Sequence, residues 1–206
     1  WSHMGWLLAR ENFATRTAHV PDLMKFGELR WLDRFDIVLP IVFGAALYAA
    51  GAVGQYDVLA ETRDDAVGEA FDKVARFLGL GYPGGPAIDR VSAEGDAAAI
   101  AFPRAMLHEG LDVSFSGLKT AVVNHVRAHP DVRTEDVAAS FQAAVVDVLC
   151  AKTLRAAESA GVRTVVLGGG VAANSLLRAE MTRRGNEAGL TVALPSREMC
   201  TDNAAM

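Results

Sequence analysis

Thr164-Val165-Val166-Leu167-Gly168-Gly169-Gly170-Val171-Ala172-Ala173-Asn174-Ser175-Leu176-Leu177 is the stretch on which the reading of the fold turns. A short β-branched, apolar run enters consecutive glycines, and a helix-like pattern leaves from Asn174. Runs of this kind read as buried parallel strands, and adjacent glycines let the backbone come close to a bulky neighbour. Asn174 suits the N-cap of a new helix, which would aim free N–H groups and the positive dipole end at the glycine loop. That geometry fits a phosphate or another anion. A tight strand-to-helix turn that binds nothing fits the same residues, because glycine-rich turns are common punctuation.

Working outward, the residues before this stretch keep helical period over about 135–160. Val137, Phe141, Val145, Val148 and Leu149 share one face, and Gly161 ends the helix. After it a last strand is predicted over 191–194, leading to Pro195. Farther upstream, 56–60 reads as a strand and 61–65 as a polar turn. Val67, Ala70, Phe71, Val74 and Leu78 then recur at helical spacing as far as Gly79. Gly81-Tyr82-Pro83-Gly84-Gly85-Pro86 is a dense turn signal, and a second helix carrying Asp89 is predicted after Pro86. Residues 112–116 read as a short strand, and 117–129 as a helix stopped by Pro130. Strands mixed with helices make the class α/β.

The chain has 206 residues, 51% hydrophobic and 22% charged, with a net charge of −5. This is a globular composition, and the charge argues against a basic surface spread over the whole molecule, though not against a local basic groove. Cys150 and Cys200 fall in no metal-type spacing and read as ordinary thiols in a reducing setting. No signal-peptide pattern opens the chain, and the sequence reads as a piece of a longer one at both ends. Two segments are expected, 1–54 and 55–206. The first holds every tryptophan, and its run 37–54 carries no charge. That length is at the lower limit for a spanning helix, while its Ala and Gly content equally suits a buried core helix. Trp1-Ser2-His3-Met4-Gly5-Trp6-Leu7-Leu8, Val20-Pro21-Asp22-Leu23 and the apolar run resemble the middle of integral-membrane acyl-CoA desaturases. The clustered His boxes that would bind a diiron centre there are absent from this stretch, so desaturation does not carry over.

Several groups could carry chemistry. Asp64, Asp65, Glu69 and Asp72 lie along one flank of the predicted helix, where a cation or a ribose could offset their repulsion. A solvated acidic helix start is the plainer reading of the same spacing. Ser114-Phe115-Ser116-Gly117-Leu118-Lys119-Thr120 sets hydroxyls and a lysine at a helix entrance, without a Walker pattern. Thr201-Asp202-Asn203 sets a carboxylate beside an amide after a strand and loop. His125 and His129 stand at i, i+4 but lack the glutamate of a metalloprotease pattern, and a surface helix face explains them better. No nucleophile–base pair supports a glycoprotease.

The ensemble is more specific than its parts. Residues 61–73, Leu80-Gly81-Tyr82-Pro83-Gly84-Gly85-Pro86, Phe115-Ser116-Gly117-Leu118-Lys119-Thr120, Gly168–Asn174 and Thr201-Asp202-Asn203-Ala204-Ala205-Met206 occur in the order found in the TsaD family. The resemblance covers about 55–206. It implies an actin-like fold of the sugar-kinase and Hsp70 (ASKHA) type, here mainly the C-terminal lobe with the N-terminal lobe largely missing. It implies transfer of a threonylcarbamoyl group from threonylcarbamoyl-adenylate to N6 of the adenosine adjacent to the anticodon in tRNA, with release of AMP. On the family's pattern Asp72, Gly85, Asp89 and Asn174 fall at adenylate-binding positions, for the acyl-adenylate or for ATP or AMP. Asp202 falls at a ligand of one divalent metal, usually Fe2+. The implied partners are tRNA and the other proteins of the modification complex, among them a same-fold paralogue, in homo- or heterodimers. The implied location is cytoplasmic, with a membrane role only if 37–54 spans. The family's His-x-x-x-His ligands and Ser-Gly-Gly-His-Thr phosphate loop have no counterpart here, so this chain by itself is expected to be inactive. A catalytically inactive nucleotide- or partner-binding lobe, or a chimera with a desaturase-like N-terminus, are the alternatives.

Overall fold

In the computed structural model, residues 57–200 are described, and those from Val58 onward belong to one compact unit. The uncharged run 37–54, read as either a spanning or a buried core helix, the desaturase-like residues and Asp202 lie outside the described residues. Helices α1 (Val67–Phe77), α2 (Gly84–Ser92), α3 (Ser116–Ala128) and α4 (Thr134–Ala160) come first. Strand β1 (Thr164–Val166), a 3-10 turn at Gly170–Ala173, helix α5 (Ser175–Glu187), strand β2 (Thr191–Ala193) and a 3-10 turn at Arg197–Cys200 follow. The result is α/β, largely helical, with a small parallel sheet in which Thr164 pairs with Thr191 and Val166 with Ala193.

Helix α4 is the axis of the fold. Val137, Ala138, Phe141, Ala144, Val145 and Val148 pack with Phe71 and Val74 of α1, Ile88 of α2 and Leu118 and Val122 of α3. Phe71 meets Phe141 edge to face, with ring centroids 5.2 Å apart. Farther along α4, Val146 and Cys150 pack with Leu177 and Met181 of α5. A helix with apolar residues on more than one side must be buried, and α4 is. By length and hydropathy it is the one helix among the described residues that could cross a membrane, but 67% of that window is buried inside the protein. Gly161, at φ 65°, ends it in the left-handed conformation that favours glycine.

Two expectations are corrected by pairing. Residues 57–60, predicted as strand, are not in a strand, and the strand predicted over 112–116 reduces, among the described residues, to one parallel bridge of Val113 with Thr62, which lies in the predicted polar turn. The chain turns there because Asp64 takes up the N–H groups of Phe115 and Ser116, which starts α3 instead of prolonging a strand. Strand β1 was expected to be buried, yet Val166 is 71% exposed, since β2 is the one strand that pairs with it among the described residues. A third correction concerns α2. It begins at Gly84, not after Pro86, because Asp72 receives the Gly84 N–H and holds the first turn against α1. The close approach is measurable: a Cβ on Gly84 would lie 2.6 Å from the Asp72 Cα and from the Phe71 carbonyl oxygen.

Candidate functional site

One cleft of about 680 Å³ gathers Asp72 and Phe71 from α1, Gly85 and Asp89 from α2, and Gly170, Val171 and Asn174 from the glycine turn. Arg90 and Arg197 also border it. Each wall has a local cause. Asp72 Oδ1 accepts the Gly84 N–H at 2.7 Å, which places the start of α2 beside α1. Gly85 differs from its neighbour: a Cβ there would meet nothing within 4 Å, so its missing side chain leaves room at the cleft instead of between helices.

The opposite wall hangs on a chain of polar contacts. Asn174 Oδ1 accepts the Leu177 N–H at 2.9 Å, the N-cap bond of α5. Its Nδ2 donates to Gln142 Oε1 of α4 at 2.8 Å. Gln142 Nε2 donates to the Ser92 hydroxyl at 2.9 Å, and that hydroxyl donates to the Asp89 carbonyl oxygen at 3.0 Å. The Asp89 carboxylate then returns to α5, accepting the Ser175 hydroxyl at 2.6 Å and its N–H at 3.2 Å. Among the described residues no buried side-chain nitrogen or oxygen lacks a hydrogen-bond partner, so this network is closed. Arg178 ties the glycine turn to the last segment, donating to the carbonyl oxygens of Ala172 and Pro195 at 2.9 Å each.

The helix end expected to offer free N–H groups to an anion is therefore occupied in part. Asp89 takes the Ser175 N–H and Asn174 takes the Leu177 N–H, and the Asp89 charge already complements the positive end of the α5 dipole.

The other acidic residues do not make a cation site. Asp65 accepts from Lys73 at 2.7 Å and Lys119 at 2.8 Å, and Lys73 also pairs with Glu69 at 2.8 Å. Hydrogen bonds from Lys119 and Lys73 hold the Asp65 carboxyl below the usual range. Burial pushes Asp64 up, but bonds from the Ser114 hydroxyl and from the Phe115, Ser116 and Asp65 N–H groups outweigh it and hold it down. The 114–120 motif thus answers the acids of 64–65 and joins the start of α3 to the segment that leads into α1. His125 and His129 stack on each other at 4.4 Å, with Phe102 edge-on to His125 at 5.8 Å. Among the described residues no three His, Cys, Asp or Glu side chains come together in a way that could hold a metal ion, so these residues do not by themselves fit one.

Asp72, Gly85, Asp89 and Asn174 are all brought to the cleft, while Asp202 lies outside the described residues. Sequence reading missed Gln142, Ser175, Arg90, Arg178 and Arg197. Gln142 did leave a signal, a polar residue in the apolar Phe141–Leu149 stretch. The arginines left none, because arginines are mostly surface residues and nothing in their spacing marks these three.

The cleft of this α/β protein combines the apolar surfaces of Phe71, Pro83 and Val171 with the carboxylates of Asp72 and Asp89 and the flanking guanidinium groups of Arg90 and Arg197. The family model for TsaD, tRNA N6-adenosine threonylcarbamoyltransferase, matches residues 44–206, starting ahead of the boundary at 55 read from composition. The chain belongs to this family. Relatives bearing that name include those of Geobacter metallireducens, 56% identical over 165 residues (78% of this chain, 48% of the relative), and Moorella thermoacetica, 58% identical over 154 residues (72% and 45%). A third, from Thiobacillus denitrificans, is 53% identical over 175 residues (84% and 51%). The chain spans about half the length of the curated relatives it matches.

Proposed function

We propose that this chain is the adenylate-holding part of a tRNA N6-adenosine threonylcarbamoyltransferase, corresponding to the C-terminal lobe of an ASKHA-type fold. The observation that carries the reading is convergence: Asp72, Gly85, Asp89 and Asn174, far apart in sequence, border one cleft. Its ligand is threonylcarbamoyl-adenylate, with AMP as the product left behind. Asp72 offers its second carboxylate oxygen to ribose hydroxyls while the first stays on Gly84. The base lies over the Phe71, Pro83 and Val171 surfaces, where Gly85 leaves space. Asp89 and Asn174 act one step back, holding the glycine turn and the start of α5 in place.

In this reading the exocyclic amine of the tRNA adenosine attacks the carbamoyl carbonyl carbon. A new C–N bond forms, the bond from that carbon to the phosphate oxygen breaks, and AMP leaves with the electron pair. The amine loses a proton. The described residues hold the leaving group for this step. Asp202 belongs to the same proposal as a ligand of a divalent metal, Fe2+ by the family's pattern, with its other ligands not among the described residues. The tRNA, a same-fold paralogue and the other proteins of the modification complex are the partners, in the cytoplasm.

Isothermal titration of the 206-residue chain with AMP tests the reading. Saturable binding, weakened about tenfold by Asp72→Asn, is the expected result. AMP affinity unchanged in that variant would remove Asp72 from the site.

A further inference from the structure

With the α5 start already matched by Asp89, the cleft needs another source of positive charge for an anionic ligand. The described residues bordering it supply two cations, Arg90 near the end of α2 and Arg197 in the last 3-10 turn. Neither guanidinium appears in any ion pair or hydrogen bond among the described residues, unlike Arg178, Arg184 and Arg104, which are bound to carbonyl oxygens or carboxylates. Arg197 sits on the glycine-turn side. That turn is packed against the segment that carries Arg197: a Cβ on Gly170 would lie 4.0 Å from the Cys200 carbonyl oxygen, and Arg178 bonds both segments. Among the described residues neither acid of the cleft forms an ion pair with these arginines: Asp72 accepts the Gly84 N–H, and Asp89 accepts the Ser175 hydroxyl.

We propose that Arg197, assisted from the other side by Arg90, is the phosphate-binding group of this cleft. This rests on the adenylate reading above and adds the residues that read the ligand's charge. A planar guanidinium meets two phosphate oxygens at once, which neither a backbone amide nor a lysine does. Both side chains reach in from exposed positions. They can therefore close on a phosphate without repacking the core, and release AMP as readily.

The test compares AMP with adenosine on the full 206-residue chain, for the unaltered protein and for Arg197→Gln and Arg90→Gln, with Arg127→Gln on α3 as a control. Ligand-observed NMR up to millimolar concentration detects weak binding. AMP is expected to bind about tenfold more tightly than adenosine, and Arg197→Gln to erase most of that difference while adenosine binding stays within about twofold. Raising the salt should weaken AMP and leave adenosine unchanged. If AMP and adenosine bind the unaltered chain equally, or if Arg197→Gln weakens both alike or neither, the phosphate role is overturned and the nucleotide cleft stands. If neither ligand binds the unaltered chain, the adenylate reading itself fails, and this inference with it.

Discussion

Asn174 donates to Gln142 at 2.8 Å across the junction of α4 and α5, while its carbonyl oxygen caps α5. One amide thus uses both ends to set the angle at which the glycine turn leaves the core. Its side chain acts on the cleft chiefly by position, and mutating it is a structural experiment before it is a binding one.

Asn174→Ala removes the cap and leaves the buried Gln142 oxygen without its partner. A lost cap costs about 1 kcal/mol and an orphaned buried acceptor about 1–3 kcal/mol. A loss of about 2–3 kcal/mol in urea denaturation is expected, and the double variant Asn174→Ala, Gln142→Leu should recover part of it. An Asn174→Ala chain as stable as the unaltered one would contradict the network.

Adjacent glycines should respond in opposite ways. Gly84→Ala forces a Cβ against the Asp72 backbone and should lower the melting temperature. Gly85→Leu meets open space, and leaving glycine inside a helix gains a little stability. That side chain crowds the cleft, so AMP binding should fall at least tenfold at an unchanged or higher melting temperature. Equal effects of the two substitutions on stability would refute the distinction.

Acid should unlock the junction of α1 and α3. The Asp65 carboxyl is held below its ordinary value of 3.8 by Lys119 and Lys73. A lowered folded-state value means the unfolded chain binds more protons at acid pH, so stability rises with pH there. The contribution is present in full above about pH 4–5 and disappears as pH falls through the folded value. Asp65→Asn should cost about 1 kcal/mol at pH 7 and flatten the acid limb of a stability–pH curve. A curve parallel to that of the unaltered chain below pH 5 would show that the pair contributes nothing.

The Cys150 thiol is buried between α4 and α5, and burial pushes it up to about 11. Native protein at pH 8 should leave Cys150 unlabelled by iodoacetamide in peptide mass mapping, with full labelling in urea. Rapid labelling of native protein would mean that the two helices part readily.

Much of the site was legible as positions and little of it as geometry. Asn174 at the N-cap, Gly161 ending α4 and the helical face of Phe71 and Val74 follow from side-chain chemistry and from spacing along one segment. The acids at 64–65 read more plainly as a solvated helix start than as a cation or ribose site, and sequence could not show Lys119, which arrives from another helix to pair with Asp65. The α5 start looked open because sequence shows the free N–H groups but not Asp89, which arrives from α2.

By itself the sequence determined the α/β class, the helical core faces, the glycine turn and the family, because each depends on local periodicity or on motifs in fixed order. Only the tertiary structure decided which charged groups are already matched, which of two adjacent glycines is a packing contact, that Gln142 braces Asn174, and that Arg90 and Arg197 border the cleft. Those facts depend on where separate helices meet, and electrostatic pairing and steric contact act through space, across distances that chain order does not encode.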